Sequence, residues 1–124
     1  MQVAIIGATK DRSKFGNKAV RAYVKRGWRV FPINDHENNI ENLRVYKSLR
    51  DINFHLDRIL LYTPPAKAME LIPEFKVASF DELMICPGAE SDELINALRA
   101  RRIPFETGCG IKAVGENPAD YGNI

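Results

Sequence analysis

The sequence predicts an α/β fold: a doubly wound, mostly parallel five-stranded sheet with helices on both faces. Three observations carry this. Val3 to Ile6 is an unbroken apolar run, the pattern of a parallel strand covered on both sides. Strand-like and helix-like stretches then alternate from end to end, the order that places crossover helices between parallel strands. A chain of 124 residues suits one such domain over residues 1–124, burying roughly two-thirds of its unfolded surface, with no room expected for a second, catalytic domain.

The elements follow in order. Strand one is Val3 to Ile6, and Gly7 turns the chain at its end. Helix one is expected from Gly16 to Lys25, with Val20, Tyr23 and Val24 at helical spacing and Gly16 facing the sheet. Gly27 turns into strand two, Arg29 to Ile33, followed by a polar loop of Asn34, Asp35, His36, Asn38 and Asn39 and a short turn or helix near Tyr46, Ser48 and Leu49. Strand three is Arg58 to Tyr62. Thr63 is expected to cap a helix whose first positions are Pro64 and Pro65, where a missing N–H costs least. Ala68, Met69, Leu71 and Ile72 form its apolar face until Pro73, and EFKVASFD after it carries no clear period. Strand four is Leu83 to Cys86, ended by Pro87 and Gly88. Ser91 starts a helix with Asp92 and Glu93 complementing its dipole and Leu94, Ile95, Ala97 and Leu98 inward. Ile103 to Phe105 make strand five, and the tail from Gly108 is expected to be partly loop.

Composition narrows the function classes. The apolar fraction is 45% and the net charge +2, so nothing in the overall balance favours nucleic acid or a membrane surface. The amino terminus reads directly as a strand, and no apolar run approaches ~18 residues, which points to a cytoplasmic protein. Two cysteines, Cys86 and Cys109, make neither a disulfide framework nor a zinc spacing and are expected to be reduced. His36 and His55 lack partners at metal spacing and read as surface residues; Tyr23 and Trp28 read as packing between helix one and strand two. No ordered Ser, His and Asp set or carboxylate pair suggests catalysis.

The local charge is more informative. Lys10, Arg12, Lys14, Lys18 and Arg21 face only Asp11, an excess of four positive charges around the start of helix one. Unpaired N–H groups there, with the positive end of the helix dipole, favour an anion. In a Rossmann-like sheet ligands bind outside the carboxyl ends of the strands, which gathers Gly7 to Lys14, Asn34, Thr63 to Pro65, Pro87 to Gly88 and Cys109 along one edge.

These residues also carry a resemblance. GAT at Gly7 to Thr9, KFG at Lys14 to Gly16, GWRVFPIN from Gly27 to Asn34, Tyr46 with Ser48 and Leu49, Asp57, TPP at Thr63 to Pro65, PG at Pro87 and Gly88, and Cys109 occur in order over most of the chain. In this the chain resembles the small CoA-binding Rossmann proteins related to the amino-terminal domain of the succinyl-CoA synthetase alpha subunit. The resemblance implies that CoA or an acyl-CoA lies along the strand ends. Its phosphates would sit near the first loop and its adenine and pantetheine would reach the turns after strands two and three. The binding residues so implied are Gly7, Ala8, Thr9, Lys10, Lys14, Phe15, Gly16, Asn34, Thr63, Pro64, Pro65 and Gly88. Two departures stand out: Asp35 follows Asn34 where the family usually has Pro, and MICPG replaces a segment that commonly holds an aromatic residue and Gln.

Asp35 keeps a second ligand class open, since it could repel the 3′-phosphate of CoA or bind a ribose hydroxyl as in NAD-binding proteins. The usual dinucleotide fingerprint packs three glycines into six residues, whereas Gly16 lies nine positions after Gly7, across a basic loop that suits a more highly charged ligand. The expected function is therefore a small CoA-binding protein without its own chemistry, serving as sensor, carrier or partner subunit. The alternatives are an NAD(P)-binding oxidoreductase or regulatory module, and an interaction domain without a ligand. A homo-oligomer through an edge strand or helix face is compatible with the pattern.

Overall fold

The computed structural model describes all 124 residues. Five strands, β1 (Gln2–Ile6), β2 (Arg29–Ile33), β5 (Leu56–Leu61), β6 (Phe80–Ile85) and β7 (Glu106–Thr107), form one sheet in the order β2-β1-β5-β6-β7. All four pairings are parallel. β3 (Asn39–Ile40) and β4 (Leu43–Arg44) make a separate small antiparallel hairpin. The α/β, doubly wound, Rossmann-like expectation holds.

The two faces explain the unbroken apolar runs. Val3 and Ile5 of β1 pack with Ala19, Val20 and Tyr23 of α1 (Phe15–Lys25) and with Ile111 of the tail. Ala4 and Ile6 face the other way, toward α2 (Pro65–Glu70), α3 (Ile72–Val77) and α4 (Asp92–Ala100) through Ala68, Ile72, Phe75, Leu94 and Leu98. Alternate residues of one strand thus serve two cores, and no polar position is tolerated between them. β2 lies at the sheet edge, which accommodates Pro32: its missing N–H points away from β1 and breaks no bond of the sheet, and on the same side its carbonyl accepts the Tyr46 N–H at 2.9 Å.

Several expectations are corrected. Thr63 does not cap α2. Pro64 is the N-cap, extended at φ −58° and ψ 152°, because a residue before proline is driven out of the helical region and Pro65 follows it. Pro73 does not end the helical stretch but sits in the first turn of α3, where no N–H is needed. β5 spans Leu56–Leu61 and not Arg58 to Tyr62, and β6 begins at Phe80 and not Leu83, pairing Leu56 with Phe80. The fifth strand is Glu106–Thr107 and not Ile103 to Phe105. Ile103 is instead buried beneath α4, its N–H bonded to the Leu98 carbonyl at 3.0 Å after Arg102 turns at φ 56°. Val24 is exposed, and of the four residues expected inward on α4 only Leu94 and Leu98 are buried.

The tail is ordered against α1. Two short 3₁₀ turns, Lys112–Val114 and Pro118–Asp120, flank the buried Glu116, whose carboxylate takes Arg26 Nε at 2.5 Å, Lys25 Nζ at 3.2 Å and the Tyr121 hydroxyl at 2.6 Å. These bonds hold the Glu116 carboxyl down at about 2, the Tyr121 hydroxyl first among them, then Arg26 and Lys25.

Candidate functional site

The carboxyl ends of β1, β2, β5 and β6 bring most of the implied binding residues to one edge of the sheet. β1 ends at Ile6, and Gly7 turns the chain at φ 89°. A Cβ on Gly7 would lie 2.9 Å from the Tyr62 carbonyl carbon. A Cβ on Gly16, in the first turn of α1, would run into the Gly7 carbonyl oxygen and lie 3.0 Å from its carbon. Two glycines nine positions apart therefore allow the helix start to rest directly on the strand end. α1 has Lys14 at its N-cap in extended conformation with no side-chain capping bond, and the Phe15 and Gly16 N–H groups find no acceptor within the protein. Such unsatisfied donors at a helix start are ready to take an anion.

Charge is distributed differently from the local count. Lys10 pairs with Glu37 at 3.2 Å and Arg12 with Glu41 at 3.1 Å, and Arg12 also donates to the Ile124 carbonyl at 2.7 Å. Arg21 donates to Asn17 Oδ1 and to the carbonyls of Arg12 and Gly122. Lys18 lies 5.8 Å from the Phe15 ring centre. Asp11 is consumed by its own loop: Ser13 donates to its carboxylate from Oγ at 2.6 Å and from N at 3.0 Å, and these bonds lower its pKa. Glu37 and Glu41 thus halve the expected excess of four positive charges. Lys14, exposed at the helix start, makes no ion pair.

Two side-chain amides, one buried and one half-buried, hold this loop. Asn17, fully buried on α1, donates to the Thr9 carbonyl at 2.8 Å and to Glu41 at 3.1 Å. Asn34 donates to the Ala8 carbonyl at 2.9 Å while its oxygen accepts the His36 and Glu37 N–H groups at 2.7 and 3.0 Å. Asn34, implied as a ligand contact, spends its amide on fixing the loop. Asn17 escaped notice, and its signal is a polar residue on the apolar face of α1.

Two hollows meet at Gly7. The first is lined by Gly7, Thr9, Lys14, Phe15 and Gly16, with Tyr62 and Pro87 opposite in sequence. The second, about 170 Å³, lies between the ends of β1 and β2 and the helices α2 and α3, and Asn34 and Thr63 reach it. Asp35, Lys47, Ser48, Lys67 and Glu74, none of them among the implied binding residues, line it too. Ala8, Lys10, Pro64, Pro65 and Gly88 line neither: Ala8 is buried, Lys10 is paired with Glu37, and Gly88 turns at φ 96° in open space next to Pro87.

Two of the residues that line the hollows carry buried hydroxyls without partners, that of Tyr62 lying beside Gly110. Tyr62 Oη and Thr63 Oγ1 are shielded from solvent and make no hydrogen bond. Burial pushes the Tyr62 phenol far up, so it stays a neutral donor. Cys86, at the end of β6, is fully buried and its thiol is likewise pushed up by burial, whereas Cys109 is half-buried; both thiols are free. His55 is exposed at the opposite edge, held by Ser79 at 2.6 Å and Asp81 at 2.8 Å, far along β5 and β6 from the hollows. No three His, Cys, Asp or Glu side chains stand close enough to hold a metal, and no helix is long and apolar enough to cross a membrane.

Comparison with known proteins adds a family. The profile described as "CoA binding domain" matches residues 1–115. A conserved hypothetical protein of Pyrococcus furiosus is similar in structure at TM-score 0.84 and 30% identity, over 90% of this chain and 97% of that one. The alpha subunit of acetate–CoA ligase (ADP-forming) II from the same organism is 29% identical over 63 residues, which is 50% of this chain and 14% of the ligase subunit. This chain thus matches only a small part of that curated relative's length. The dinucleotide forming acetyl-coenzyme A synthetase 1 of Ca. Korarchaeum cryptofilum, solved with phosphate and ADP, shares the fold at TM-score 0.72 and 23% identity, over 88% of this chain and 25% of that one.

Proposed function

Because the chain belongs to the CoA binding domain family, we propose that it binds coenzyme A or an acyl-CoA along the carboxyl edge of its sheet, without catalytic machinery of its own. The observation that carries this is the contact of Gly7 with Gly16, beside two free amides and an unpaired Lys14. The residues present fit the group. Phe15 and Gly16 N–H would take a phosphate oxygen, and Lys14 would add a charge-assisted bond. A side chain on Gly7 or Gly16 would fill the space that brings backbone to ligand. The unpartnered hydroxyl of Thr63 would supply a hydrogen-bonding group at the second hollow.

CoA would bring a thiol that carries acyl groups; the chain's part is to bind, orient and shield it. Thr9, Lys14, Phe15 and Tyr62 would form the phosphate end, and Asn34 would serve by keeping the first loop in place. Ala8, Lys10, Pro64, Pro65 and Gly88 would act through backbone or only indirectly. The role is that of a sensor, carrier or partner subunit, the last favoured by the likeness to part of a ligase subunit. The free thiols support a cytoplasmic location.

Titration calorimetry with CoA, acetyl-CoA, NAD and NADP tests the reading. Heat with CoA or acetyl-CoA alone is the expected result. Heat with the dinucleotides alone would favour the oxidoreductase alternative, and silence with all four would leave an interaction domain. Native mass spectrometry of the purified protein offers an independent check through a co-purified CoA mass.

A further inference from the structure

Two further hollows, of opposite charge, meet at Pro104, at the amino-terminal end of β6 and away from the ligand edge. One is floored by Phe75, Ala78, Phe80 and Ile103, and its only charged residues are Lys76, Arg101 and Arg102. All three cations are exposed and none has a carboxylate partner. Lys76 Nζ donates to the Arg101 carbonyl at 3.1 Å, Arg101 to the Ala97 carbonyl at 3.2 Å, and the Arg102 side chain bonds nothing. A tight turn presents the two arginines, its Arg102 and Ile103 N–H groups bonded to the Arg99 and Leu98 carbonyls at 3.1 and 3.0 Å. The other hollow is lined by Leu83, Phe105 and three carboxylates, Asp81, Glu82 and Glu106. Glu82 is taken by Arg58 at 2.7 Å, the Asp81 carboxylate bonds only the His55 ring at 2.8 Å, and Glu106 is exposed and unpaired. Arg99, over the Phe105 ring at 5.9 Å, also lacks a carboxylate partner. β6 is open at this end, because β7 pairs only with Met84 and Ile85 and leaves residues 80–83 without a strand on that side.

We infer that this surface is the two-fold interface of a homodimer, the basic hollow of each chain against the acidic hollow of its copy, with Pro104 near the axis and Arg102 of one chain facing Glu106 of the other. The two signs lie side by side, so a half-turn about Pro104 brings unlike charges together at both contacts and closes the assembly. Hollows on opposite sides of the molecule would instead join head to tail and grow without closing. The make-up is that of an interface: an apolar middle around Phe80, Pro104 and Phe105, a charged rim, and a strand edge without a neighbour. The occupant that fits is anionic beside the arginines and cationic beside Asp81 and Glu106, a pattern this chain itself presents. Each unlike pair of exposed charges strengthens association by about 1.4- to fivefold.

The test is sedimentation equilibrium of the full chain, Arg102→Glu and Glu106→Lys at low and high salt. Both residues are exposed and neither side chain bonds another group, so both variants are expected to fold; thermal unfolding checks this. The wild type is expected to dimerise with a Kd between ~1 μM and ~1 mM that rises as salt screens the rim. Reversing one charge turns attraction into repulsion at two symmetry-related contacts, which should weaken the dimer at least about fourfold. An equimolar mixture of the two variants should regain association, because the reversed charges attract each other at one contact and the unaltered charges do so at the other. Native mass spectrometry should show that species as the mixed dimer. A wild type still monomeric at ~1 mM, a dimer that neither reversal weakens, or a mixture that associates no better than its components overturns the interface. Assemblies larger than a dimer overturn its closed two-fold form.

Discussion

Gly16→Ala isolates the contact on which the site depends. The added methyl would meet three backbone atoms, the Gly7 carbonyl oxygen, its carbon at 3.0 Å and Ala8 Cα at 3.3 Å, and none of them is the end of a flexible side chain. Because the carbonyl oxygen is the nearest of them, restoring an ordinary separation of ~3.5 Å requires the helix start to move off the strand end by about an ångström or more. Overpacking of this kind costs about 1–3 kcal/mol, offset by up to ~1 kcal/mol of better helix propensity, for a net loss of roughly 0.5–2 kcal/mol. At about 3–5 °C per kcal/mol for a domain of this size, the melting temperature should fall by roughly 2–10 °C. Ligand binding should suffer more, because the Phe15 and Gly16 amides move with the helix. Misaligning bonds to a charged group costs about 1.5–3 kcal/mol, roughly ten- to a hundredfold in CoA affinity by calorimetry. Gly27→Ala is the control. Gly27 turns at φ 80° with nothing within 4 Å of a Cβ, so alanine there costs about 1–2 kcal/mol of backbone strain and leaves affinity unchanged. If folded Gly16→Ala bound CoA as tightly as Gly27→Ala does, the strand–helix contact would have no part in ligand approach.

The other expectations separate groups that look alike in sequence. Lys14→Ala should weaken CoA binding by about 1–2 kcal/mol and reduce its salt dependence, since a charge-assisted contact is lost. Arg12→Ala, whose guanidinium is already taken by Glu41 and the Ile124 carbonyl, should leave calorimetric affinity within about twofold while lowering the melting temperature. Glu116 is held at about 2, below the 4.5 of an unperturbed glutamate, so the unfolded chain binds its proton first. Its contribution is complete above pH 4.5 and lost as pH falls toward 2, and Glu116→Gln should flatten that acid limb in melting curves and lower stability at neutral pH. A maleimide should label half-buried Cys109 in the native protein and reach Cys86 only on unfolding, as peptide mass spectrometry would show; equal labelling would refute the buried thiol at the end of β6.

How much of the fold was legible depended on where apolar residues and turn residues coincide. β2 lies at Arg29–Ile33 as read, because Gly27 and Asn34 bracket an apolar run, and Ser91 caps α4 as read, its hydroxyl taking the Leu94 N–H at 3.1 Å. β6 was read three residues short because Asp81 and Glu82 occupy its amino-terminal half, which leaves the buried core and pairs with β5 near solvent. β7 consists of two exposed polar residues and has no apolar signature at all. The β3–β4 hairpin turns through Glu41 and Asn42 at φ 49° and 64°, a conformation usually marked by Asn-Gly, so the turn signal was missing.

The site shows the same division between what is local and what is not. Gly7, Gly16 and the helix start are neighbours in chain and space, and the spacing of two glycines around a basic loop was enough to place them. Charge could not be read that way. Glu41 neutralises Arg12 from 29 residues away, and Glu37 does the same for Lys10 from the loop after β2, so a local sum overstated the field at the loop. What survives at the helix start itself is the unpaired Lys14 beside two free amides, a weaker but more directional arrangement than a cationic patch. Bonds that point at a fixed position favour one phosphate geometry, whereas diffuse charge favours any anion. Binding at this edge should therefore depend more steeply on the Gly7–Gly16 geometry than on the number of basic residues, and Arg12→Ala against Gly16→Ala compares those two dependences directly.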